Sequence, residues 1–553
     1  MNHHYKPGQF YDYQLTLGSL LRPPLLYNPD GEIVYRDIKR YTYGELYMRI
    51  NRLANVLSDF GVKQGDTIAV FDYDSHRYLE CFFTIPMMGA VLQTVNYRLS
   101  LDQIVYTLNH TGASVLLVHK DMLPVVENVF AQLKNVRHII LLTDDNYEIS
   151  LSLPIIGEYE AMLQAASDVY TFAQLNENTK ATTFYTTGTT GLPKGVYFTH
   201  RQLVLHTLSM MAMLGAYDNI GRFRSSDVYM PLTPMFHVHA WGVPYVATAL
   251  GTKQVYPGKY EPAMLLKLLI EEKVTFSHCV PTILQMIINA PGIDSIDLSR
   301  WKVIIGGSML PKTLCKKALD MGIDVYTGYG MSETCPLISL SLLKKDVLQW
   351  PKEKQVEYRT KTGLPVILVD VEIVDANDNP LPHDGKAAGE VVFRSPWLTK
   401  EYFKDSKKTE DLWRNGWLHS GDVGVIDEGG YLQITDRIKD VIKTGGEWIS
   451  SLDLENILSQ HPAVFECAAI GVPDNKWGER PLMLVKLKEG YQDKISQKTL
   501  HEFMEDAAKN GKIPKYGVPD KFEFVSEIPK TSVGKIDKKE IRKKYSHPVV
   551  VGN

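Results

Sequence analysis

Two periods alternate along the first half of this chain, and the alternation leaves few folds open. Thr42 and Glu45 have the spacing of a capping box. Leu46, Ile50, Leu53, Leu57 and Phe60 follow at steps of four and three, one face of a helix that Gly61 can stop. A short apolar run, Thr67 to Phe71, comes next, and Ser100 with Gln103 repeats the capping signal before two further runs, Val115 to Val118 and Val136 to Leu142. Amphipathic helices between short, continuously apolar strands predict an α/β layered domain built on parallel sheets. The same grammar returns in Val228 to Leu232, Val274 to Cys279, Val303 to Ile305 and Ile323 to Tyr326, each ending at Pro, Gly or Ser, where α/β proteins keep their ligands.

From about Val369 the texture changes. Strand-like runs, among them Val391 to Arg394 and Leu432 to Thr435, are set off by turn clusters at Asp375 to Pro380 and Asp427 to Gly430, which predicts a small β-rich subdomain. Beyond Arg437 a helix (Leu452 to Ser459), two strands (Ala468 to Val472 and Leu482 to Leu487), a second helix (Ser496 to Lys509) and a basic terminal helix read as a separate small α+β domain. A length of 553 residues requires more than one core in any case. The expected division is 1–436 for the large domain, 437–442 for a hinge and 443–553 for a mobile small domain.

A formal net charge of -4 offers no general attraction to nucleic acid. The five cysteines, Cys81, Cys279, Cys315, Cys335 and Cys467, lack metal-ligand spacing and are expected to be buried thiols. No apolar run approaches the ~20 residues of a membrane crossing, and Met1 to Phe10 is too polar for a signal peptide, so the cytoplasm is the expected location.

The strongest chemical signal is Tyr185-Thr-Thr-Gly-Thr-Thr-Gly-Leu-Pro-Lys-Gly195, delivered by the apolar run Thr182 to Tyr185. Its glycines and threonines supply backbone N–H groups and hydroxyls, and Lys194 supplies charge, which together suit a polyphosphate. The spacing is not that of a Walker loop, and the next segment, Val196 to Thr199, reads as a strand.

Further motifs follow in order: Pro234-Met-Phe-His-Val-His-Ala-Trp241, Gly306-Gly-Ser308, Thr327-Gly-Tyr-Gly-Met-Ser-Glu-Thr334, Ser420-Gly-Asp422, Asp436-Arg-Ile-Lys-Asp440, Gly445-Gly446 and Pro529-Lys-Thr-Ser-Val-Gly-Lys535. With the Gly/Thr loop, this set resembles the adenylate-forming superfamily of acyl-CoA synthetases, acid-activating domains and luciferases, from about Thr42 to Lys535. It is most similar to the bacterial long- and medium-chain fatty-acid ligases.

The resemblance implies ATP and coenzyme A as co-substrates, with Mg²⁺ attended by Glu333 and Thr186. Lys535 would be the catalytic lysine of adenylation. Thr187, Gly188, Thr189, Thr190, Gly191 and Lys194 would hold phosphates, while Gly307, Thr327, Gly328, Tyr329 and Ser332 line the nucleotide, with Tyr329 offering a stacking face. Asp422, expected in a turn between strands, would accept the ribose hydroxyls with Arg437 beside it. Lys439 would be the hinge residue, and it, Lys443 and Trp448 are expected near the nucleotide in one of two domain orientations. Gly445 and Gly446 would let a pantetheine arm pass close to backbone. His237, Val238 and Trp241 would gate an acyl tunnel.

The apolar neighbours Val243, Tyr245, Val280, Ile283 and Leu284 suit an alkyl chain. An aryl-CoA ligase, an acyl-AMP ligase serving a carrier protein and a non-catalytic binding protein stay open as alternatives. By the same resemblance the chain would be a homodimer, and whether its basic tail makes peripheral membrane contact stays open.

Overall fold

A computed structural model describes residues 12–145, 153–186, 192–445, 447–531 and 535–545. Among the described residues two large sheets, one small antiparallel sheet and one C-terminal sheet form. Both large sheets are mainly parallel, as the apolar runs predicted.

The first large sheet orders its strands as Ile155–Glu158, His138–Leu142, Val115–His119, Thr67–Phe71, Val91–Thr94, Lys180–Thr186 and Lys194–Thr199. Its last pair is antiparallel, and the Gly/Thr segment joins these two buried strands in sequence. The helix Tyr43–Asp59 packs on the helices His76–Met87 and Tyr159–Ala165 and begins at Thr42 and Glu45, whose side chains bond each other's backbone N–H. The second large sheet runs parallel from Lys253–Tyr256 through Val228–Leu232, Phe276–Cys279 and Lys302–Ile305 to Asp324–Gly330, then turns antiparallel at Leu337–Leu340.

Two local readings change. The strand expected to stop at Tyr326 continues to Gly330, because Gly328 to Gly330 pair with Leu337–Leu340 on a side no parallel neighbour covers. Asp422 lies inside the long strand Trp417–Ile426 instead of in a turn. Gly421, at φ 71°, and a register shift absorb the irregularity there.

The β-rich subdomain appears as Asp370–Val374, Gly389–Arg394, Trp417–Ile426 and Leu432–Arg437, all antiparallel. Its Val391, Phe393 and Leu418 share one core with Val70, Phe184 and Ile304 of the large sheets, which makes it part of the large domain. The C-terminal domain has separate apolar clusters, one around Ile442, Leu454, Met483 and Phe522, the other around Ile470, Leu484, Ile528 and Ile541. Its two long strands, Val464–Asp474 and Gly478–Leu487, pair antiparallel, and Lys521–Phe524 adds a parallel strand absent from the sequence reading.

All five cysteines are buried and free. No helix of the described residues is long and apolar enough to cross a membrane.

Candidate active site

The motifs converge where the two domains meet. Thr186 ends the strand Lys180–Thr186 and stands opposite Lys194 across the hairpin. Thr187, Gly188, Thr189, Thr190 and Gly191 lie outside the described residues, as does Gly446. The Lys194 ammonium sits 4.3 Å from the centre of the Tyr402 ring. Burial pulls its pKa down, and the charge of Glu333 opposes that shift.

Glu333 is buried in the short turn Ser332–Thr334 that follows the extended strand. Its Oε1 accepts a 2.6 Å hydrogen bond from the Tyr402 hydroxyl, and its backbone carbonyl accepts from Thr399. Ser332 opens the same turn. Thr327 is buried in the last parallel pair, opposite Ile305, and its hydroxyl is spent on the Arg359 carbonyl at 3.0 Å.

Gly307, at φ 78°, adopts a conformation that favours glycine. At Gly328 a Cβ would come within 2.8 Å of the Ile304 side chain, so close sheet packing accounts for that glycine.

Asp422 and Arg437 are register partners on adjacent antiparallel strands. Arg437 Nε lies 3.3 Å from Asp422 Oδ1, and the Tyr329 hydroxyl donates to Oδ2 at 2.6 Å. The Asp422 charge raises the Arg437 pKa and outweighs burial, which acts to lower it. Burial and the same carboxylate hold the Tyr329 phenol protonated.

Lys535 arrives from the other domain. A hairpin-like clasp fixes its backbone: its N–H donates to the Thr531 hydroxyl at 3.2 Å, and its carbonyl accepts from the Thr531 N–H at 2.7 Å. Its Cε lies 3.5 Å from where a Cβ on Gly307 would be. Burial lowers its pKa to about 8; Arg437 adds to the shift, while Asp422 and Glu333 counter it. The ammonium therefore stays mostly charged at neutral pH. His237 faces the same space, with its pKa down at about 3 from burial and from the charges of Lys535 and Arg98.

Trp241 is buried, 5.0 Å from the His278 ring. A Cβ on Gly306 would come within 2.8 Å of the indole, so this glycine makes room for it. Val238, His239, Ala240 and Trp241 all have φ between 47° and 59°, a left-handed turn of four residues with side chains. Each costs roughly 1–2 kcal/mol relative to the right-handed form, so the surroundings must hold the turn in place. Three contacts do so at its approach: Asp74 Oδ1 accepts from the Met235 N–H at 2.7 Å, Thr94 donates to the Phe236 carbonyl at 2.8 Å, and Pro234 accepts from the His237 N–H at 2.9 Å.

Lys439 is exposed in the turn after Arg437, where Asp440 and Val441 donate back to the Arg437 carbonyl. Lys443 and Trp448 are register partners in the first hairpin of the C-terminal sheet. Gly445, at φ 61°, packs on the Trp477 ring, which a Cβ would approach to 3.0 Å.

Tyr402 and Asp74 were absent from the sequence reading. Tyr402 stands in a connecting segment without a motif of its own. Asp74 follows the strand Thr67–Phe71 at a sheet end, a position that could have drawn notice.

The AMP-binding enzyme pattern matches residues 26–403, and the AMP-binding enzyme C-terminal domain matches 453–535. The chain belongs to the AMP-binding enzyme family. This adenylate-forming enzyme is an ATP-dependent acyl-CoA synthetase, with ATP and coenzyme A as co-substrates. It is 39% identical to a long-chain-fatty-acid–CoA ligase of Thermus thermophilus, over 98% of this chain and 97% of that one. A 3-methylmercaptopropionyl-CoA ligase of Ruegeria lacuscaerulensis is 35% identical, over 97% and 98% of the two chains. Among solved structures, an anthranilate CoA ligase in complex with anthranoyl-AMP superposes with a TM-score of 0.84 at 24% identity, over 96% of this chain and 97% of that one, which is a likeness of fold.

Proposed function

We propose that this synthetase is a fatty-acid–CoA ligase for medium- to long-chain acids, working in two half-reactions on one site. In the first, a carboxylate oxygen attacks the α-phosphorus of ATP, the bond to the β-phosphate oxygen breaks, and pyrophosphate leaves with acyl-AMP formed. In the second, the sulfur of coenzyme A attacks the acyl carbonyl, the thiol proton passes to solvent, and AMP leaves.

The observation that carries the proposal is Lys535 standing against Gly307 with Glu333, Asp422 and Arg437 around it. In this role Lys535 meets the negative charge that builds on the phosphate oxygens during adenylation, an effect worth roughly 3 kcal/mol for one well-aimed group. Asp422 accepts the ribose hydroxyls, with Arg437 holding it in place. Tyr329, Gly328 and Ser332 line the nucleotide, and the Gly/Thr loop with Lys194 cradles the phosphates. Trp241, His237 and Val238 stand between the nucleotide and the acyl chain.

The donor set fits Mg²⁺. Glu333 has one oxygen taken by Tyr402 and a second with no hydrogen bond among the described residues, and Thr186 offers a hydroxyl; both are hard oxygen donors. Among the described residues no three His, Cys, Asp or Glu side chains are placed to hold a metal ion, so the ion would be held largely through ATP phosphates. Bound there, Mg²⁺ would neutralise phosphate charge.

For the second half-reaction the C-terminal domain turns about Lys439 within 437–442, withdraws Lys535 and brings Gly445 and Gly446 to the pantetheine path. A cytoplasmic homodimer completes the proposal.

The decisive experiment offers acids from short to long chain, plus one aromatic acid, and measures AMP formed with and without coenzyme A. Thioester formation highest for medium and long alkyl acids supports the reading. A preference for the aromatic acid, or adenylate that accumulates without thioester, overturns it.

A further inference from the structure

A second cavity lies at the other end of the hairpin that carries the Gly/Thr loop. It has a volume of about 190 Å³, and its walls include Thr67, Thr111, Lys180, Thr183, Tyr197 and Phe403. Lys180 and Thr67 are the first residues of their strands, so the cavity opens at the N-terminal ends of the parallel sheet, whereas Thr186 emerges at the opposite end. A single water needs roughly 10–15 Å³ of such space, so there is room for a polyatomic ion.

Lys180 gives the cavity its chemistry. Its ammonium lies 4.0 Å from the centre of the Tyr197 ring and 5.0 Å from that of Phe403. Rings of this kind attract a cation by about 0.5–2 kcal/mol but leave its N–H donors without an acceptor. Among the described residues no carboxylate pairs with it. Glu401, the acid whose charge acts on it, accepts from the Tyr197 hydroxyl at 3.0 Å, and neighbouring Lys404 gives its ammonium to the His110 carbonyl at 2.9 Å. Burial shifts the Lys180 pKa downward, as expected of a partly desolvated cation without a counterion.

The threonine hydroxyls around it are spent on neutral acceptors. Thr183 donates to the Val196 carbonyl at 3.0 Å, and Thr111 donates to Gln93 Oε1 at 2.6 Å. A chamber whose unspent group is the Lys180 ammonium, with no carboxylate in its lining, selects an acceptor carrying negative charge.

We propose that this cavity binds a small oxyanion, of the size of phosphate or a short carboxylate, with Lys180 as its cation. It is separate from the nucleotide site at the hairpin's other end.

Isothermal titration of inorganic phosphate, and in a parallel arm acetate, into the full chain tests the site. A non-hydrolysable ATP analogue at saturation keeps the probe away from the Gly/Thr loop. One equivalent of either anion should bind, Lys180→Arg should retain it, and Lys180→Met, which keeps the stem packed on both rings, should weaken it at least about tenfold. Which anion binds more tightly assigns phosphate or carboxylate. No heat from either probe up to ~20 mM, or equal binding by Lys180→Met with an unchanged melting temperature, overturns the proposal.

Discussion

The hydroxyl of Tyr402 donates to Oε1 of Glu333 at 2.6 Å, and the face of the same ring lies 4.3 Å from the Lys194 ammonium. One side chain from the connection after Trp397 thus orients a carboxylate from one large sheet and touches a lysine from the other. Tyr402→Phe keeps the ring and removes the hydrogen bond, so it should cost about tenfold in pyrophosphate exchange, as expected for a bond to a charged acceptor. The melting temperature should hardly move. Full exchange activity would show that Glu333 needs no orientation by Tyr402.

In the proposed mechanism Lys535 is the contact through which the small domain enters the chemistry. Lys535→Ala should lower adenylate formation by roughly 10²–10³ while leaving the conversion of supplied acyl-AMP and coenzyme A to thioester intact. The two half-reactions are measured separately, by pyrophosphate exchange and by thioester formation. An equal loss in both would remove the assignment.

The pH dependence follows from the same residue. Its pKa is lowered to about 8, and the charged form is the one that adenylation needs. Exchange measured at low ATP, which reports the free enzyme, should therefore fall as pH rises through about 8. Lys535→Arg, charged throughout, should lose that alkaline limb even if slower overall. A flat wild-type profile to pH 9.5 would contradict the shift.

The hinge can be stiffened without taking a hydrogen bond away. The turn after Arg437 is closed by the N–H groups of Asp440 and Val441, and no backbone bond among the described residues uses the N–H of Lys439. Lys439→Pro should leave adenylation near wild type and slow thioester synthesis at least tenfold, because proline fixes φ where the rotation must occur. Unimpaired thioester synthesis would put the pivot elsewhere.

The elements read best from sequence were those with a local cause. The capping pairs Thr42–Glu45 and Ser100–Gln103 both form, and Thr67–Phe71 and Val228–Leu232 have the predicted limits. Lys521–Phe524 was missed because three of its four residues are exposed and no apolar run marks it. Ser420 to Asp422 looked like a turn because Ser-Gly-Asp is turn chemistry, yet pairing on both sides draws it into a strand that tolerates the left-handed Gly421. At the site, motif residues were legible because chemistry restricts their type. Tyr402 was not, since its role arises from where the chain passes. The left-handed turn at Val238 to Trp241 has no signature at all, because none of these residues prefers positive φ.

That turn makes Trp241 a sharp probe of the acyl pocket. Its indole is set by backbone strain on one side and by Gly306 on the other, where an added Cβ would meet the ring at 2.8 Å and the Gly328 carbonyl at 2.7 Å. Trp241→Ala opens the wall and should broaden the range of chain lengths accepted. Gly306→Ala should instead push the ring forward, raising KM for the longer acids and lowering stability by about 1–3 kcal/mol through overpacking. Both effects are read from KM across a series of acids, below the melting temperature of each variant. If neither substitution alters the relative KM values while both lower the melting temperature, Trp241 is ordinary core, and the pocket that selects the acid lies on other residues.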